Sequence, residues 1–441
     1  MKRQRKSTAL LALLLSLAMV AAACGSDDGD EGDEGTTTTA SDTTADDGDT
    51  TDTTEDEDTD TTEDDGDAAA AGFVIGTVLP ETGALAFLGP PQIQGVELAR
   101  QDLEAAGADV AIVTSDSGTD PSVAQEAVSR LLGGGADAIV GAAASGVSQG
   151  IIQSLFDARI PQCSASNTSP AFSDQENATY YFRTVPPDEA VAPIIADVVN
   201  SAGHSQVAIV ARADDYGNAL ADLVKAELDG LGVANDIVTY DPDNVAADSI
   251  VGDVTGQGAD SVVLISFDEA IPFIAALIEG GVAPEAMYGA DGLFSNTLNT
   301  SVDAQDPNVI DGFTVIGASG GADFNERLTE LTDGNLIYGG QAYDCVITLA
   351  LAYLQAGSTD GDALIEAVVE VTNDDEGDTT CTTYQECADA IAAGEGINYD
   401  GVAGPIDLDE NGDPTFGRYA IAEFQDGVLT TVESQDVDLS F

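Results

Sequence analysis

The sequence contains no tryptophan, a single histidine and few basic residues, and the last two shortages each exclude a class of function. Against 80 Asp and Glu residues stand only 12 Lys and Arg residues, which gives a formal net charge of −68. Because a chain this acidic repels phosphate backbones and anionic lipid surfaces, we expect no nucleic-acid partner. The lone histidine, His204, and the scattered cysteines offer no zinc pattern.

Basic residues are concentrated at the start of the chain. Four cations within the first six residues precede an apolar run over 8–20 and three alanines, after which comes Cys24. This order is typical of an export signal, and the apolar run is too short to span a bilayer comfortably. The alanines and Cys24 resemble a bacterial lipobox, with Ala21 where Leu is usual. We therefore expect residues 1–23 to be a lipoprotein signal peptide and Cys24 to carry the lipid, with ordinary secretory cleavage as the alternative.

An acidic, low-complexity tract follows this cysteine. Residues 27–67 contain 20 Asp and Glu residues, no aromatic residue and no Lys or Arg. Such a tract cannot bury enough apolar surface to offset its conformational entropy, so we expect residues 24–71 to be a lipid-anchored, disordered tether. Residues 68–441 retain 60 acidic and eight basic side chains, a net charge of −52. This composition suits a salty or otherwise demanding exterior, where net charge maintains solubility.

The remaining chain alternates between apolar strands and helical segments, in two successive series over residues 72–290. Stretches such as GFVIGTVLP (72–80) and ADSVVLISF (259–267) are almost continuously apolar, as are strands of a parallel sheet covered on both faces. The C-terminal part differs, with expected helices over 339–356, 360–372 and 384–393, followed by strands near 405–409, 417–424 and 427–433. The pattern predicts an α/β protein with two doubly wound parallel-sheet lobes.

Five stretches along this part of the chain carry a recognisable combination of motifs. They are IGTVLPETGALAFLGPPQIQGVELARQDLEAAG, IPQCSASNTSP, YYFRTVPPD, AIVARADDYGNALADLV and MYGADGLFSN. In this order they resemble the Leu/Ile/Val-binding proteins, the extracytoplasmic receptors of branched-chain amino acid ABC importers. The resemblance runs from about residue 72 to 430 and implies two lobes, joined by three crossings, that close on a ligand.

The resemblance also implies how the chain is divided between the lobes. It places the crossings near residues 185–188, 312–320 and 398–404. We expect the first lobe to comprise residues 72–186 and 315–400, and the second lobe to comprise 187–314 and the C-terminal strands in 401–441.

Candidate ligand contacts lie where strands end, because ligands of open α/β sheets bind outside the carboxyl ends of the strands. Ser145 and Gly146 follow such a strand and open a helix, so the hydroxyl and backbone N–H groups there could hold a carboxylate. The resemblance assigns a ligand contact to the Thr168 hydroxyl. It assigns the ligand's ammonium to the Asn167 carbonyl and to Asp291, which stands where the family has Glu.

Aromatic residues complete the expected site. The resemblance assigns contacts with the ligand side chain to Phe87 and Tyr216, and Phe267 falls where it implies a further aromatic contact. The alternative is that these rings serve only to pack their lobes. These features predict a non-enzymatic receptor without a cofactor. We expect it to capture an amino acid, branched-chain or similar, and to pass it to the permease subunits of an ABC importer at the outer face of the cell membrane.

Three alternatives to an amino acid receptor stay open. Sister branches of the family bind amides, urea-like or aromatic molecules, so the same fold could take such a ligand. A surface interaction protein with an inert cleft is the second alternative. The third is a secreted hydrolase, because GVSQG (146–150) fits the nucleophile-elbow pattern around Ser148. That mechanism needs a histidine late in the chain, whereas His204 precedes most candidate acids.

The segment DLDENGDPTFGR (407–418) begins like an EF-hand calcium loop. Its twelfth position is Arg418 instead of the bidentate Glu that such a loop requires. Strand residues flank the segment on both sides, so we expect a hairpin turn and no metal site.

Four cysteines remain after Cys24, an even number that suggests two disulfides in an exported chain. Cys381 and Cys387 are close in sequence and are expected to close a small loop. Cys163 and Cys345 would form the other pair, which the family's arrangement makes feasible because it puts both in one lobe. Free buried thiols are the alternative.

Overall fold

The computed structural model describes residues 72–332, 334–373 and 378–439. The expected signal peptide, Cys24 and the acidic tether lie outside the described residues. Two sheets organise the described chain, and each is the centre of one lobe. None of the helices in these ranges combines the length and the apolar character that a membrane crossing requires.

The first lobe contains a five-stranded, fully parallel sheet with the spatial order β2-β1-β3-β4-β5. Its strands are β1 (Phe73–Leu79), β2 (Val110–Asp116), β3 (Ala138–Gly141), β4 (Gln162–Ser164) and β5 (Tyr181–Arg183). Its first helices are α1 (Gly89–Ala106), α2 (Pro121–Gly133) and α3 (Ser145–Ala158). β1 is buried at every residue, which is why its sequence is apolar throughout.

The second lobe contains a seven-stranded sheet with the spatial order β15-β14-β10-β9-β8-β6-β7. Its strands are β6 (Gln206–Arg212), β7 (Ala234–Tyr240), β8 (Ser261–Ile265), β9 (Met287–Gly289), β10 (Thr314–Ala318), β14 (Phe416–Gln425) and β15 (Val428–Asp438). The last two strands are antiparallel to their neighbours and form a hairpin whose outer strand, β15, is exposed along nearly its whole length. The helices are α4 (Ala192–Ser201), α5 (Gly217–Leu231), α6 (Ala247–Gly256), α7 (Ile271–Glu279) and α8 (Leu298–Val302).

The chain returns to the first lobe after β10. This return adds α9 (Ala322–Thr329), α10 (Gly339–Ala356), α11 (Gly361–Thr372) and α12 (Tyr384–Ala393). A small sheet lies beside these helices, with strands β11 (Thr379–Cys381), β12 (Ile397–Gly401) and β13 (Gly404–Pro405). The long helix α10 is buried over most of its length and packs against α1 and α11.

The chain passes between the sheets three times, at residues 184–191, 319–321 and 406–415. β10 lies wholly in the second sheet, so the expected lobe boundary between 314 and 315 cuts a strand. The third passage comes later than expected, because Ile406 and Leu408 still pack in the core of the first lobe. The strand expected near 405–409 is wrong, since β13 ends at Pro405 and Leu408 forms only an isolated bridge with Pro414.

Both expected disulfides are formed. Cys163 and Cys345 join β4 to α10, with Cα atoms 5.7 Å apart. Cys381 and Cys387 join β11 to α12, with Cα atoms 5.4 Å apart. The first bond therefore connects the strand that leads into residues 165–169 to a helix from the chain's second visit to the first lobe.

The two lobes contact each other directly. One continuous cluster of buried apolar side chains includes Val147 of α3 in the first lobe, and Tyr216 and Phe267 in the second. The cleft between the two lobes is therefore closed, and buried side chains from both lobes contact each other there.

Candidate ligand-binding site

The site is built where strands of both sheets end at the cleft between the lobes. Ser145 is the first residue of α3 and is almost fully buried. A Cβ placed on Gly146 would lie 3.8 Å from Oδ2 of Asp215, which belongs to the second lobe. The start of α3 therefore faces the opposite lobe, with a carboxylate close to the positive end of the helix dipole.

Asn167 is held rigidly in the loop after β4. Its side-chain amide donates hydrogen bonds to the carbonyl oxygens of Ala142 and Ala143, and its Oδ1 accepts one from the Tyr181 hydroxyl. Its backbone carbonyl, the group expected to accept from the ligand's ammonium, accepts a 3.0 Å hydrogen bond from Nη1 of Arg183. A carbonyl oxygen has two lone pairs, so one acceptor position is left.

A buried acid that the sequence did not single out lies in the first passage. Asp188 is completely buried, and its backbone N–H donates to the carbonyl of Thr168 over 2.8 Å. Neither of its carboxyl oxygens makes a hydrogen bond of normal geometry with a described residue, although the Thr168 hydroxyl is close enough to lower its pKa. Burial and the nearby charge of Asp291 raise its pKa well above the ordinary value, against the opposing effects of Thr168 and Arg183.

Two hydroxyl groups near this acid are also unsatisfied. The buried Thr168 hydroxyl forms no hydrogen bond of normal geometry within the described ranges, and neither does the buried hydroxyl of Tyr419 on β14. Asp188 and Asp291 both raise the pKa of Tyr419, after burial as the main cause. Buried polar groups normally have partners, so this cluster has the properties of a site that a polar ligand completes.

Asp291 lies two residues after the end of β9 and is held by two tyrosines. The Tyr216 hydroxyl donates to Oδ1 over 2.5 Å, and the Tyr338 hydroxyl donates to Oδ2. Burial still raises the pKa of Asp291 above its ordinary value, although both hydroxyls act to lower it. The sequence-predicted Asp291 and Tyr216 are thus in direct contact, whereas Tyr338 was not predicted.

The aromatic residues of the second lobe form a stack behind this acid. The ring of Tyr216 stacks on Phe267, with ring centres 5.4 Å apart, and the guanidinium of Arg212 lies 3.6 Å from the centre of the Phe267 ring. Ion pairs with Asp214 and Glu269 hold Arg212 in place. The stack restricts where the Tyr216 hydroxyl can point.

Phe87 lies in a short 3₁₀ turn before α1. Its ring is half-buried and packs against the apolar cluster that spans the lobes. Its carbonyl accepts a 3.1 Å hydrogen bond from the Asn335 side chain. Phe87 therefore borders the interface between the lobes, but it makes no hydrogen-bonded contribution to the Asp188–Asp291 cluster.

A family model described as a periplasmic binding protein matches residues 73–428. The chain belongs to this family. The substrate-binding protein BasB of a chemotactic signal transduction system in Halobacterium salinarum is 26% identical over 376 residues, covering 81% of this chain and 88% of that protein. The resemblance noted in the sequence is therefore confirmed.

Solved structures of periplasmic binding proteins share the fold. A leucine-binding protein from Thermotoga maritima aligns with a TM-score of 0.69 and 18% identity, over 83% of this chain and 99% of that one. A branched-chain amino acid transporter substrate-binding protein from Streptococcus pneumoniae, in complex with isoleucine, aligns with a TM-score of 0.67 and 17% identity, over 83% and 99% of the two chains. The predicted fold of two α/β lobes is confirmed.

In this periplasmic binding protein, Ser148 and His204, the two groups that a serine hydrolase would need to combine, each have other hydrogen-bond partners. The buried Ser148 hydroxyl accepts from the backbone N–H of Ala142 and donates to its carbonyl. His204 lies in the second lobe, where its Nε2 is 2.9 Å from the Tyr288 hydroxyl. The Ser148 hydroxyl thus fixes the backbone before α3, and His204 is bonded elsewhere.

In the acidic loop after β13, the Asp409 and Asp413 side chains are already bonded to other groups of the protein. Oδ1 of Asp409 accepts from the backbone N–H groups of Asn411 and Asp413, and Asp413 pairs with Arg183. Within the described ranges, no cluster of three or more His, Cys, Asp or Glu side chains is arranged to hold a metal ion.

Proposed function

We propose that this chain is the extracytoplasmic solute-binding protein of an ABC importer, and that it captures an amino acid, branched-chain or similar, between its lobes. In this proposal it catalyses no reaction and hands the ligand to the importer's permease. Support comes from family membership and from the names of the Thermotoga and Streptococcus proteins, which describe amino acid binding.

The unsatisfied cluster at Asp188 is the observation that carries this proposal. Two buried carboxyl groups, Asp188 and Asp291, lie near each other with no cationic side chain hydrogen-bonded to either among the described residues. A buried charge is stable only when it is paired. An ammonium group placed between them would pair with both Asp188 and Asp291. An ammonium has only N–H donors and a carboxylate has only acceptors, so the two kinds of group match.

The ligand's carboxylate has a separate place in the proposal. The N-terminus of α3, the Ser145 hydroxyl and the Thr168 hydroxyl offer neutral donors for an anion. Asp215 approaches the same helix end from the second lobe and is exposed to solvent. We expect the ligand's carboxylate to take the place of the Asp215 side chain at this helix end.

The apolar side chain of the ligand would lie against Tyr216 and Phe267 on one side and Phe87 on the other. These rings are buried or half-buried at the interface of the lobes. Burial of a leucine-sized side chain contributes about 1.5–3 kcal/mol, so this contact would provide much of the preference for an apolar amino acid.

Anchoring is proposed from the sequence pattern at Cys24. A lipid on this cysteine would hold the protein at the outer face of the cell membrane, within reach of a permease. Metabolic labelling with an alkyne-bearing fatty acid tests this directly, since wild type should be labelled and Cys24→Ala should not. A labelled Cys24→Ala variant would exclude this cysteine as the anchor.

Thermal unfolding of the purified chain with a panel of L-amino acids and simple amides tests the ligand. A ligand at 100 times its dissociation constant adds about 2.7 kcal/mol of stability. We expect Leu, Ile or Val to raise the unfolding temperature of wild type and to lose this effect in Asp291→Asn. Asp268→Asn is the control, because Asp268 is a partly buried acid of the same lobe, whereas the hydroxyls of Tyr216 and Tyr338 bond to Asp291.

The other outcomes discriminate between the alternatives. A rise in the unfolding temperature with amides or aromatic acids alone would keep the transport role and change the proposed class of ligand. An unfolding temperature that no compound changes would favour an inert cleft. Ester hydrolysis that disappears in Ser148→Ala would instead support the hydrolase.

A further inference from the structure

Tyr338 adopts a backbone conformation that is unusual for a bulky residue. It immediately precedes α10, and its φ and ψ angles of 61° and 2° lie in the left-handed region. Its side chain is only 1% exposed. A non-glycine residue in this region costs on the order of 1 kcal/mol or more, and persists only where its surroundings hold it. Such residues are concentrated at functional sites.

The Tyr338 hydroxyl is held across the cleft. Tyr338 opens α10, which packs against α1 in the first lobe, and nearby Asn335 is bonded to the carbonyl of Phe87 in the same lobe. Its hydroxyl donates to Oδ2 of Asp291, which follows β9 in the second lobe. The hydrogen bond therefore joins the residue before α10 to the second lobe.

The second carboxyl oxygen of Asp291 is fixed from within its own lobe. Tyr216 donates to Oδ1 over 2.5 Å, and its ring is stacked on Phe267. One tyrosine from each lobe thus binds one oxygen of the same carboxyl group. In the open protein only the Tyr216 bond would remain, and the carboxyl group could rotate.

We propose that Tyr338 is a positioning residue that orients Asp291 in the closed state and so couples amine binding to lobe closure. This inference rests on the proposed function in one respect, the assignment of the ligand's ammonium to Asp291. Because Tyr338 reaches Asp291 only on closure, the carboxyl group is fully oriented only in the closed form. A ligand that binds one state better than the other shifts the equilibrium toward that state.

Tyr338→Phe tests this by removing the hydroxyl and keeping the ring. Tyr343→Phe is the matched control, because Tyr343 lies on the same helix and donates to Asp102 outside the cleft. The first measurement is amide hydrogen exchange of the full, ligand-free chain. We expect Tyr338→Phe to accelerate exchange in segments 287–295 and 336–342, which meet at the interface, and Tyr343→Phe to leave both unchanged.

The second measurement is the affinity for L-leucine. A hydrogen bond to a charged group is worth enough to lower affinity on the order of tenfold when it is lost. We expect this loss in Tyr338→Phe, and no further loss when Tyr338→Phe is combined with Asp291→Asn, since the two changes remove the same interaction.

The outcomes separate this inference from the proposed function. Unchanged exchange in Tyr338→Phe, or equal affinity losses with and without Asp291→Asn, would overturn the role of Tyr338. If wild type binds no L-leucine, the proposed ligand is wrong, and the exchange comparison still decides whether Tyr338 holds the lobes together. Accelerated exchange in Asp291→Asn at the same two segments would support it independently.

Discussion

Arg183 is fully buried, yet each nitrogen of its guanidinium group has a partner. Nε pairs with Oδ1 of Asp413 over 2.5 Å, Nη1 donates to the carbonyls of Asn167 and Ser169, and Nη2 donates to the Ser173 hydroxyl. Asn167 and Ser169 belong to the loop after β4, and Asp413 belongs to the third passage. Arg183 thus fastens a loop of the candidate site to a connection between the lobes.

Replacing Arg183 should therefore be strongly destabilising. Arg183→Met leaves the buried Asp413 carboxylate without its cation, a change that costs about 3–5 kcal/mol. Urea-induced unfolding would measure the loss. Arg418→Met is the control, because Arg418 pairs with Asp436 at side-chain exposures of 31% and 51%, and such surface pairs contribute about 0–1 kcal/mol. Equal losses in the two variants would contradict this account of Arg183.

Asp344, in the second turn of α10, is another fully buried ionisable group. Its carboxyl oxygens accept from the Tyr399 hydroxyl and from the backbone N–H groups of Val402 and Ala403. Burial outweighs these bonds and raises the pKa of Asp344 to about 7. The group therefore stays protonated in the folded protein at pH values where it is ionised in the unfolded chain.

The stability of the protein should fall with rising pH because of Asp344. Between its ordinary pKa, about 4, and its folded value, about 7, the folded state binds the extra proton. Stability then decreases by up to about 1.4 kcal/mol per pH unit. Asp344→Asn should remove this contribution in urea unfolding measured from pH 4 to pH 8. The exposed Asp389 on α12 provides the control variant, Asp389→Asn, and an unchanged slope in Asp344→Asn would refute the assignment.

At the residue scale, the sequence predicted those candidates that follow strands or carry a family motif. It led to Thr168, Tyr216 and Asp291, and the structure brings Tyr216 and Asp291 into contact. It did not lead to Asp188 or Tyr338. Their importance depends on burial and on partners distant in sequence, whereas PPD at residues 186–188 is by itself an ordinary turn sequence.

Among the secondary structure elements, those with long apolar or amphipathic patterns were predictable. α10, α11 and the strands β1 and β8 lie where periodicity placed them. β10 was missed because it is only five residues long and contains Thr314 and Gly317, and because the resemblance placed a crossing there. The position of the third passage depends on Ile406 and Leu408 packing into the first lobe, which no local pattern specifies.

The two disulfides should differ in their contribution to stability. Cys163 and Cys345 are separated by 182 residues, whereas Cys381 and Cys387 are separated by 6. Loop-closure entropy predicts a cost of about 5 kcal/mol for losing the first and about 2 kcal/mol for losing the second.

Paired substitutions would measure this difference. The variants are Cys163→Ala with Cys345→Ala, and Cys381→Ala with Cys387→Ala, compared by guanidinium unfolding under oxidising conditions. A larger loss from the short loop would show that local strain or packing, and not chain entropy, dominates.

For the molecule as a whole, the charge imbalance should make stability depend on salt. The net charge of −52 in residues 68–441 makes the compact state repel itself. Monovalent salt shortens the screening length from about 30 Å at 0.01 M to about 3 Å at 1 M. We therefore expect the unfolding temperature to rise steeply with NaCl and to level off as screening becomes complete.

A comparison with sucrose separates the screening of charge by salt from stabilisation by solutes that are excluded from the protein surface. Sucrose stabilises folded proteins without screening charge, so its effect should grow steadily with concentration and should not depend on NaCl. A sucrose-like, unsaturated response to NaCl would mean that charge repulsion is not what limits stability.

The exposed strand β15 has a consequence for how copies of the protein behave when crowded. Among the described residues it pairs only with β14, so its outer edge offers backbone donors and acceptors to any passing strand. Glu433 and Asp438 lie along this strand, together with Asp436, which pairs with Arg418. Like charges would oppose the addition of this strand to a second copy. The negative charge along β15 thus opposes fibre-like association between copies. Protonation of these carboxylates in acid would remove the repulsion, and folded copies could then pair through the exposed edge of β15.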